Sequence, residues 1–182
     1  MRKLLSMQDE DGVNVRNSKQ LLQLGMVKEE FERAWKTGGK AMEKYRHTVH
    51  YYETDRMGFT HHSNYVRWME EARIDFFDRL GWSYQKFEDE GVISPVTAIE
   101  CKYKQTTTFP EDVFIAVAVD SFRGLKLKLR YTMTNSAGAL VCEASSEHCF
   151  LGKDGRFIRI SKEYPEFWQV LTKLAASDTP GN

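Results

Sequence analysis

The chain has 182 residues, 41% of them apolar and 13% aromatic, enough for one packed domain and too many for global disorder. Lysine plus arginine and aspartate plus glutamate number 26 each, and this balance gives no support for a nucleic-acid or anionic-membrane partner. Three cysteines without a CxxC pair argue against a disulfide framework or zinc knuckle, and no window approaches the roughly 18 apolar residues of a membrane span.

A reducing cytoplasm is therefore the expected setting. Gln8, Asp9, Glu10 and Asp11 interrupt any apolar run behind Met1-Arg2-Lys3, so no signal peptide is expected. From Asn17 or Ser18, the positions Leu21, Leu22, Leu24, Val27, Phe31 and Trp35 predict one or two amphipathic helices, broken near Gly25 and ended by Gly38-Gly39. Residues 1–42 form an N-terminal helical extension without a chemical motif, suited to packing or an oligomer contact.

The main domain is expected over residues 43–176, with a short tail at 177–182. Residues 45–53 alternate as a strand does, with Tyr45, His47, Val49 and Tyr51 on one face. Ser63 or Asn64 can cap a following helix, because both side chains accept from unpaired N–H groups. Tyr65, Trp68, Met69, Ala72, Phe76, Phe77 and Leu80 then form a wide apolar stripe, with Arg67, Glu71, Arg73 and Asp78 largely off it. Gly81 supplies the stop.

Strands follow. Val96–Tyr103 is one, and the more continuously apolar Val113–Phe122 reads as a central strand buried on both faces. Leu125, Leu127, Leu129, Tyr131 and Met133 alternate with Lys126, Lys128, Arg130, Thr132 and Thr134, which places the lysine-bearing face outward. Residues 135–138 turn into a strand over Leu140–Leu151, and Lys153-Asp154-Gly155 turns into another over Phe157–Ile160. Pro165 opens a closing helix that reaches about Ala175 and has Phe167, Trp168, Leu171 and Leu174 as its apolar face. Sequential hairpins around one long helix predict an α+β domain with a mostly antiparallel sheet.

The string from Tyr51 to Arg73 carries Thr54, Asp55, Gly58, His62, Asn64, Tyr65, Glu70, Ala72 and Arg73 at fixed spacings. It resembles the signature of hotdog-fold acyl-CoA thioesterases related to 4-hydroxybenzoyl-CoA thioesterase, among them the Tol–Pal-associated acyl-CoA thioester hydrolases. The likeness covers roughly residues 43–160, with Tyr103 and Asp112 also where that family tends to place them. Two positions depart from it: His61 stands where tyrosine or another aromatic is common, and Thr60 where a small apolar residue is usual. The N-terminal 40 residues have no counterpart in compact members. The resemblance implies a hotdog fold, with one long central helix wrapped by a five- to six-stranded sheet. It also implies an acyl-CoA substrate, no cofactor, and a homodimer or homotetramer whose active sites lie between subunits.

Thioester hydrolysis needs an activated water or a nucleophile, together with stabilisation of the tetrahedral oxyanion. Asp55 is the one residue of the motif able to serve alone as nucleophile or general base. Its reference pKa of about 3.9 makes it a weak base unless its pocket raises that value or attack is direct. By the resemblance, the backbone N–H at His62 is the oxyanion donor, aided by the helix dipole, and its imidazole could orient water. Gly58, His61, Asn64, Tyr65 and Glu70 are the expected substrate-binding positions, Glu70 having a pairing with Arg73 as its alternative. His61-His62 makes a poor metal pair, since no Asp or Cys partner is spaced for it. The row Lys126, Lys128 and Arg130 reads as a solvated face, with coenzyme A phosphates as the alternative. Cys142 and Cys149 read as inert core thiols. A non-catalytic acyl-CoA sensor or an acyl-carrier-protein thioesterase would present the same fold.

Overall fold

The computed structural model describes residues 43–177, so the expected N-terminal helices and the tail beyond Ser177 lie outside the described residues. In chain order the elements are β1 (Tyr45–Thr48), a 3-10 turn (Tyr51–Glu53), α1 (Ser63–Arg79), α2 (Tyr84–Glu90), β2 (Val92–Ile93) and β3 (Val96–Tyr103). They continue with β4 (Asp112–Phe122), β5 (Lys126–Asn135), β6 (Leu140–Cys149), β7 (Leu151–Gly152), α3 (Ile160–Glu163) and α4 (Pro165–Ser177). Five strands form one antiparallel sheet in the order β1-β4-β5-β6-β3, while β2 and β7 pair separately. This is the expected arrangement of one long helix against an antiparallel sheet.

The apolar stripe of α1 is what seats it. Tyr65, Trp68, Met69, Ala72, Phe76 and Phe77 are all buried, and α1 lies against β1 and β4. Gly81, at φ +75°, turns the chain out of the helix. Beneath α1, β5 presents Leu127, Leu129, Tyr131 and Met133, each almost fully buried. Register shifts between Val119 and Ser121, Met133 and Thr134, and Val96 and Ala98 sharpen the twist and help the sheet curl around the helix. A second core region gathers the rings of Phe77, Trp82, Phe87, Phe150 and Phe167, joining α1, α2 and α4, with ring centroids 4.6–6.4 Å apart.

Several expectations are corrected. The first strand stops at Thr48 and does not run to residue 53, because the chain tightens into the 3-10 turn, which leaves Tyr51 exposed instead of on the inner face with His47 and Val49. Neither Ser63 nor Asn64 caps α1: the N-cap is His62, without a side-chain bond. Arg73 lies within the buried stripe, at 5% exposure, and not off it. β4 buries only one face fully, through Val113, Ile115, Val119 and Phe122, with Phe114, Ala116 and Ala118 half-buried on the other. Leu125 falls outside the strand and is exposed. No strand forms over Phe157–Ile160: Phe157 makes a single bridge to Leu151, and the buried Ile160 opens α3. Helix α2 was not anticipated, although Ser83 caps it by accepting from Lys86 N–H (3.1 Å) and Gly91 closes it at φ +77°.

The outer face of β5 is occupied by ion pairs. Lys126 lies 3.8 Å from Glu147, and Lys128 and Arg130 both approach Asp120, at 3.6 and 3.5 Å. Each cation thus has a local carboxylate, as an ordinary solvated strand face would.

Leu129 sits at the centre of the sheet with no exposure. Leu129→Ala is expected to lower the unfolding free energy by about 2–5 kcal/mol, seen as an earlier urea midpoint with an unchanged m-value.

Candidate active site

The motif loop is built around Glu53, a buried acid on the inner side of the chain. After Thr48 the chain passes the buried Val49, tightens into the 3-10 turn and drives Glu53 inward. Its carboxylate receives the Trp68 indole N–H (2.7 Å) and the His50 backbone N–H (2.7 Å), and lies 2.9 Å from His47 Nε2. Burial alone would raise its pKa. The bonds from His47, His50 and Trp68, with the charge that His47 can carry, outweigh burial and hold the carboxyl below the usual range. The backbone carbonyl of Glu53 accepts from His61 N–H and from Asn64 Nδ2, both at 2.8 Å. His47 Nδ1 in turn faces Glu71 at 3.2 Å, and Glu71 also accepts from Tyr45 OH.

Asp55 follows two residues later in a tight turn. Its N–H donates to Phe59 O (2.8 Å), its carbonyl accepts from Gly58 N–H (3.0 Å), and its Oδ1 accepts from Met57 N–H (2.8 Å). Its Oδ2 has no hydrogen bond among the described residues, and the side chain is half-buried. Gly58 closes the turn at φ +78°. Its glycine is required by that angle and not by crowding within the protomer, for an added Cβ would meet nothing within 4 Å.

The connection between β3 and β4 fastens the other side of the loop. Thr60 N–H donates to Thr107 O (2.8 Å), Thr107 Oγ1 donates to Thr60 Oγ1 (2.8 Å), and Thr108 Oγ1 donates to Gly58 O (2.6 Å). Tyr65 OH shares a hydrogen bond with Thr107 Oγ1 at 3.0 Å. Asn64 and Tyr65, expected at the substrate, are thus buried beneath the loop with their polar atoms committed to Glu53 and Thr107.

At the start of α1 the donors are left open. The Asn64 N–H goes to His61 O (2.9 Å), and the His61 imidazole turns back to Ser63 Oγ (2.9 Å). The His62 N–H has no acceptor among the described residues; the His62 side chain does not cap the helix, and the Ser63 N–H makes a long bond to His61 Nδ1 (3.4 Å). An uncapped terminus keeps its partial positive charge available to an incoming oxyanion. The rings of His61 and His62 lie exposed, 4.2 Å apart. Tyr103 OH donates to His62 O at 3.3 Å, which ties the end of β3 to this terminus. Asp112 lies apart from these groups, pairing with Arg46 (2.8 Å) and Thr48 (2.6 Å), which hold its carboxyl below the usual range. Exposed Tyr51, Tyr52, Met57, Phe59 and Phe109 surround the loop, an apolar concentration of the kind that marks a contact surface.

Glu70, exposed on α1, is paired with the buried Arg73. Beyond Arg73 lies a cavity of about 290 Å³, walled by Ile74, Phe77, Phe87, Val92 and Ser94. It includes neither Asp55 nor His62. Under the sheet, Tyr131 OH, Ser146 Oγ and His148 Nε2 form a buried chain with links of 2.9 and 2.7 Å. The alternation pattern did not single out this chain, because its three members meet only through strand pairing. Burial, with the nearby charge of Arg73, pushes the His148 pKa down to about 4. Among the described residues, no group of three or more His, Cys, Asp or Glu could hold a metal ion. Cys142 and Cys149 are buried, while half-buried Cys101 lies 3.7 Å from the Met69 sulfur and its pKa is lowered to about 7, chiefly through Cys142.

Residues 49–174 match the family described as the thioesterase-like superfamily. A Bacillus subtilis (strain 168) protein described as putative acyl-CoA thioesterase YneP is 34% identical over 126 residues, covering 69% of this chain and 91% of its own length. A putative esterase of Aquifex aeolicus (strain VF5) is 36% identical over 127 residues, covering 67% and 94%. The crystal structure of a DHNA-CoA thioesterase from Staphylococcus aureus superposes with a TM-score of 0.72 at 32% identity, covering 77% of this chain and 95% of that one.

His148 stays neutral when folded and binds a proton readily once unfolded. Its contribution is therefore constant above the ordinary histidine pKa and becomes destabilising as pH falls toward its lowered value. Between about pH 7 and about pH 5, urea denaturation should lose on the order of 2 kcal/mol that a His148→Gln variant does not lose.

Proposed function

This chain belongs to the thioesterase-like superfamily and is a thioester hydrolase of the hotdog fold, and from that premise we propose that it hydrolyses an acyl-CoA with Asp55 as the reacting carboxylate. In the general-base form, Asp55 takes a proton from water as its oxygen adds to the thioester carbonyl. The C–S bond then breaks, and the coenzyme A thiolate leaves to be protonated. In the nucleophilic form, the carboxylate adds directly, expels the thiolate and leaves a mixed anhydride that water opens. In both forms the carbonyl oxygen gains negative charge, and the His62 N–H at the head of α1 receives it. The observation that carries the reading is the pairing, across one loop, of an Asp55 oxygen with no partner and a His62 N–H with no acceptor among the described residues.

In this reading the acyl-CoA site is completed by a second copy of the chain. Strand β3 is one of the two outer strands of the sheet, its free edge unpaired among the described residues, and it carries Val96, Ile99 and Tyr103 in exposed positions. A strand edge of eight residues left open is a template for pairing with another chain. Two such edges side by side would join the sheets of two protomers. Tyr103, bonded to His62 O, would bring that junction to the head of α1. The exposed Tyr51, Met57, Phe59 and Phe109 then belong to the wall of the acyl site or to its entrance. Glu70 and His61 remain the side chains of the motif on offer to the substrate, while Gly58 shapes the turn and Asn64 and Tyr65 support it from below.

Asp55→Asn should fold and assemble as the parent does and lose roughly 10²–10⁴-fold in turnover of acyl-CoA, followed as free thiol across short, long and aromatic substrates. Full activity would remove the mechanism. Single turnover in labelled water separates the two forms when the anhydride opens at its aspartyl carbonyl, since only the nucleophilic form can then put label in the Asp55 carboxyl. Ile99→Glu places a charge on the open edge, and sedimentation should show a shift toward monomer accompanied by loss of turnover.

A further inference from the structure

Glu53 lies two residues before Asp55 and is 5% exposed, yet it neither faces the proposed substrate nor joins a conventional salt bridge with lysine or arginine. Its carboxylate is surrounded by groups from three parts of the chain: His47 on β1, the His50 N–H at the entrance to the 3-10 turn, and the Trp68 indole on α1. Trp68 is itself fully buried, packed against the rings of His47 at 4.6 Å and Tyr65 at 4.7 Å, so its indole cannot swing to another acceptor. The backbone carbonyl of Glu53 meanwhile takes the His61 N–H and the Asn64 amide. One residue thus binds β1, the body of α1 and the head of α1, and Asp55 lies between its two anchors.

We propose that Glu53 is the positioning residue of the hydrolytic site, fixing the Asp55 carboxylate relative to the His62 N–H through its bonds to Trp68, His50 and His61. The role rests on the thioesterase reading of Asp55. Each oxygen of the carboxylate accepts from a fixed donor. The Trp68 indole reaches Oε1 and the His50 N–H reaches Oε2, and both are donors without an alternative. In Glu53→Gln one of those oxygens becomes an NH₂ group, and in either orientation it points donor to donor, at Trp68 or at His50. The fault falls within the segment that sets the loop, and a misplacement of about 1 Å at a reacting group costs on the order of 100-fold in rate.

The test compares Glu53→Gln with Ser146→Ala. The latter removes a buried hydrogen-bonding side chain from the chain of Tyr131 and His148 and touches nothing in the motif loop. Glu53→Gln is expected to lower kcat about 100-fold with KM changed by less than about threefold, and to speed amide exchange in residues 54–62 above the rest of the domain. Ser146→Ala should lower Tm while keeping kcat. A Glu53→Gln protein that is folded and within about threefold of parental kcat overturns the proposal. So does an equal kcat loss in Ser146→Ala, which would make the effect one of stability alone. Should Glu53→Gln fail to fold, Trp68→Phe removes one donor and keeps the carboxylate: a fall in kcat at unchanged KM supports the role, and parental kcat overturns it. A parent protein that turns over no acyl-CoA overturns the thioesterase reading and this kinetic role with it, while the exchange pattern decides separately whether Glu53 holds the loop.

Discussion

A carboxylate withdrawn from water must find donors for its oxygens, and the satisfaction of Glu53 organises everything near the motif. To reach Trp68 the chain has to leave the sheet after Thr48, which is why β1 is short. To present its carbonyl to His61 and Asn64, it has to return along the head of α1, which is why Asn64 faces inward instead of capping. The helix end is thereby left with the His62 N–H unclaimed among the described residues. A buried acid thus determines indirectly that an uncapped helix terminus lies beside a turn carrying another acid. The two acids are two residues apart and have opposite surroundings: Glu53 is enclosed and fully bonded, whereas Asp55 is half-buried with one oxygen unengaged. Their chemistry differs because of environment rather than residue type.

The rest of the fold serves this arrangement by holding α1 still. The apolar face of α1 rests on β1 and β4, the aromatic group around Phe167 grips its C-terminal half, and the buried alternating side chains of β5 form the floor. These contacts are numerous and nondirectional, and they tolerate repacking. The motif loop depends instead on a few directional hydrogen bonds with little slack. Rigidity of the scaffold and exactness of the site therefore come from different physics, dispersion and burial in one case and donor–acceptor matching in the other.

Much of this was legible in the sequence. The stripe from Tyr65 to Leu80 defines α1 because a 3.6-residue period is hard to produce otherwise, and the alternation from Leu127 to Met133 defines β5 and its inward face for the same reason. The motif resemblance located Asp55, Gly58 and His62 in one turn at the head of that helix, where they are found. What failed was non-local. Glu53 shares the parity of His47 and Val49, but nothing local marks an acid there as buried, and its donor Trp68 lies fifteen residues on. Arg73 reads as a surface cation, though its burial is offset by Glu70. Tyr131, Ser146 and His148 come together by strand register, which a single sequence does not disclose. The short helix α2 is a different case: Ser83 and Gly91 are ordinary start and stop signals, and its seven residues hold too little period to stand out between them.

The threonine clasp at residues 107 and 108 bears on what counts as the unit of function. The motif occupies one continuous stretch, but its outer side is fastened by groups nearly fifty positions further along the chain, after β3 has been laid down. A peptide or a graft that carried only the contiguous stretch would own every recognisable residue and lack the clasp that closes Thr60 and Gly58. What could be transplanted between scaffolds, or inherited intact through rearrangement of the chain, is the loop together with the segment entering β4. Annotation by the contiguous signature alone would count as equivalent chains that keep this second piece and chains that have lost it.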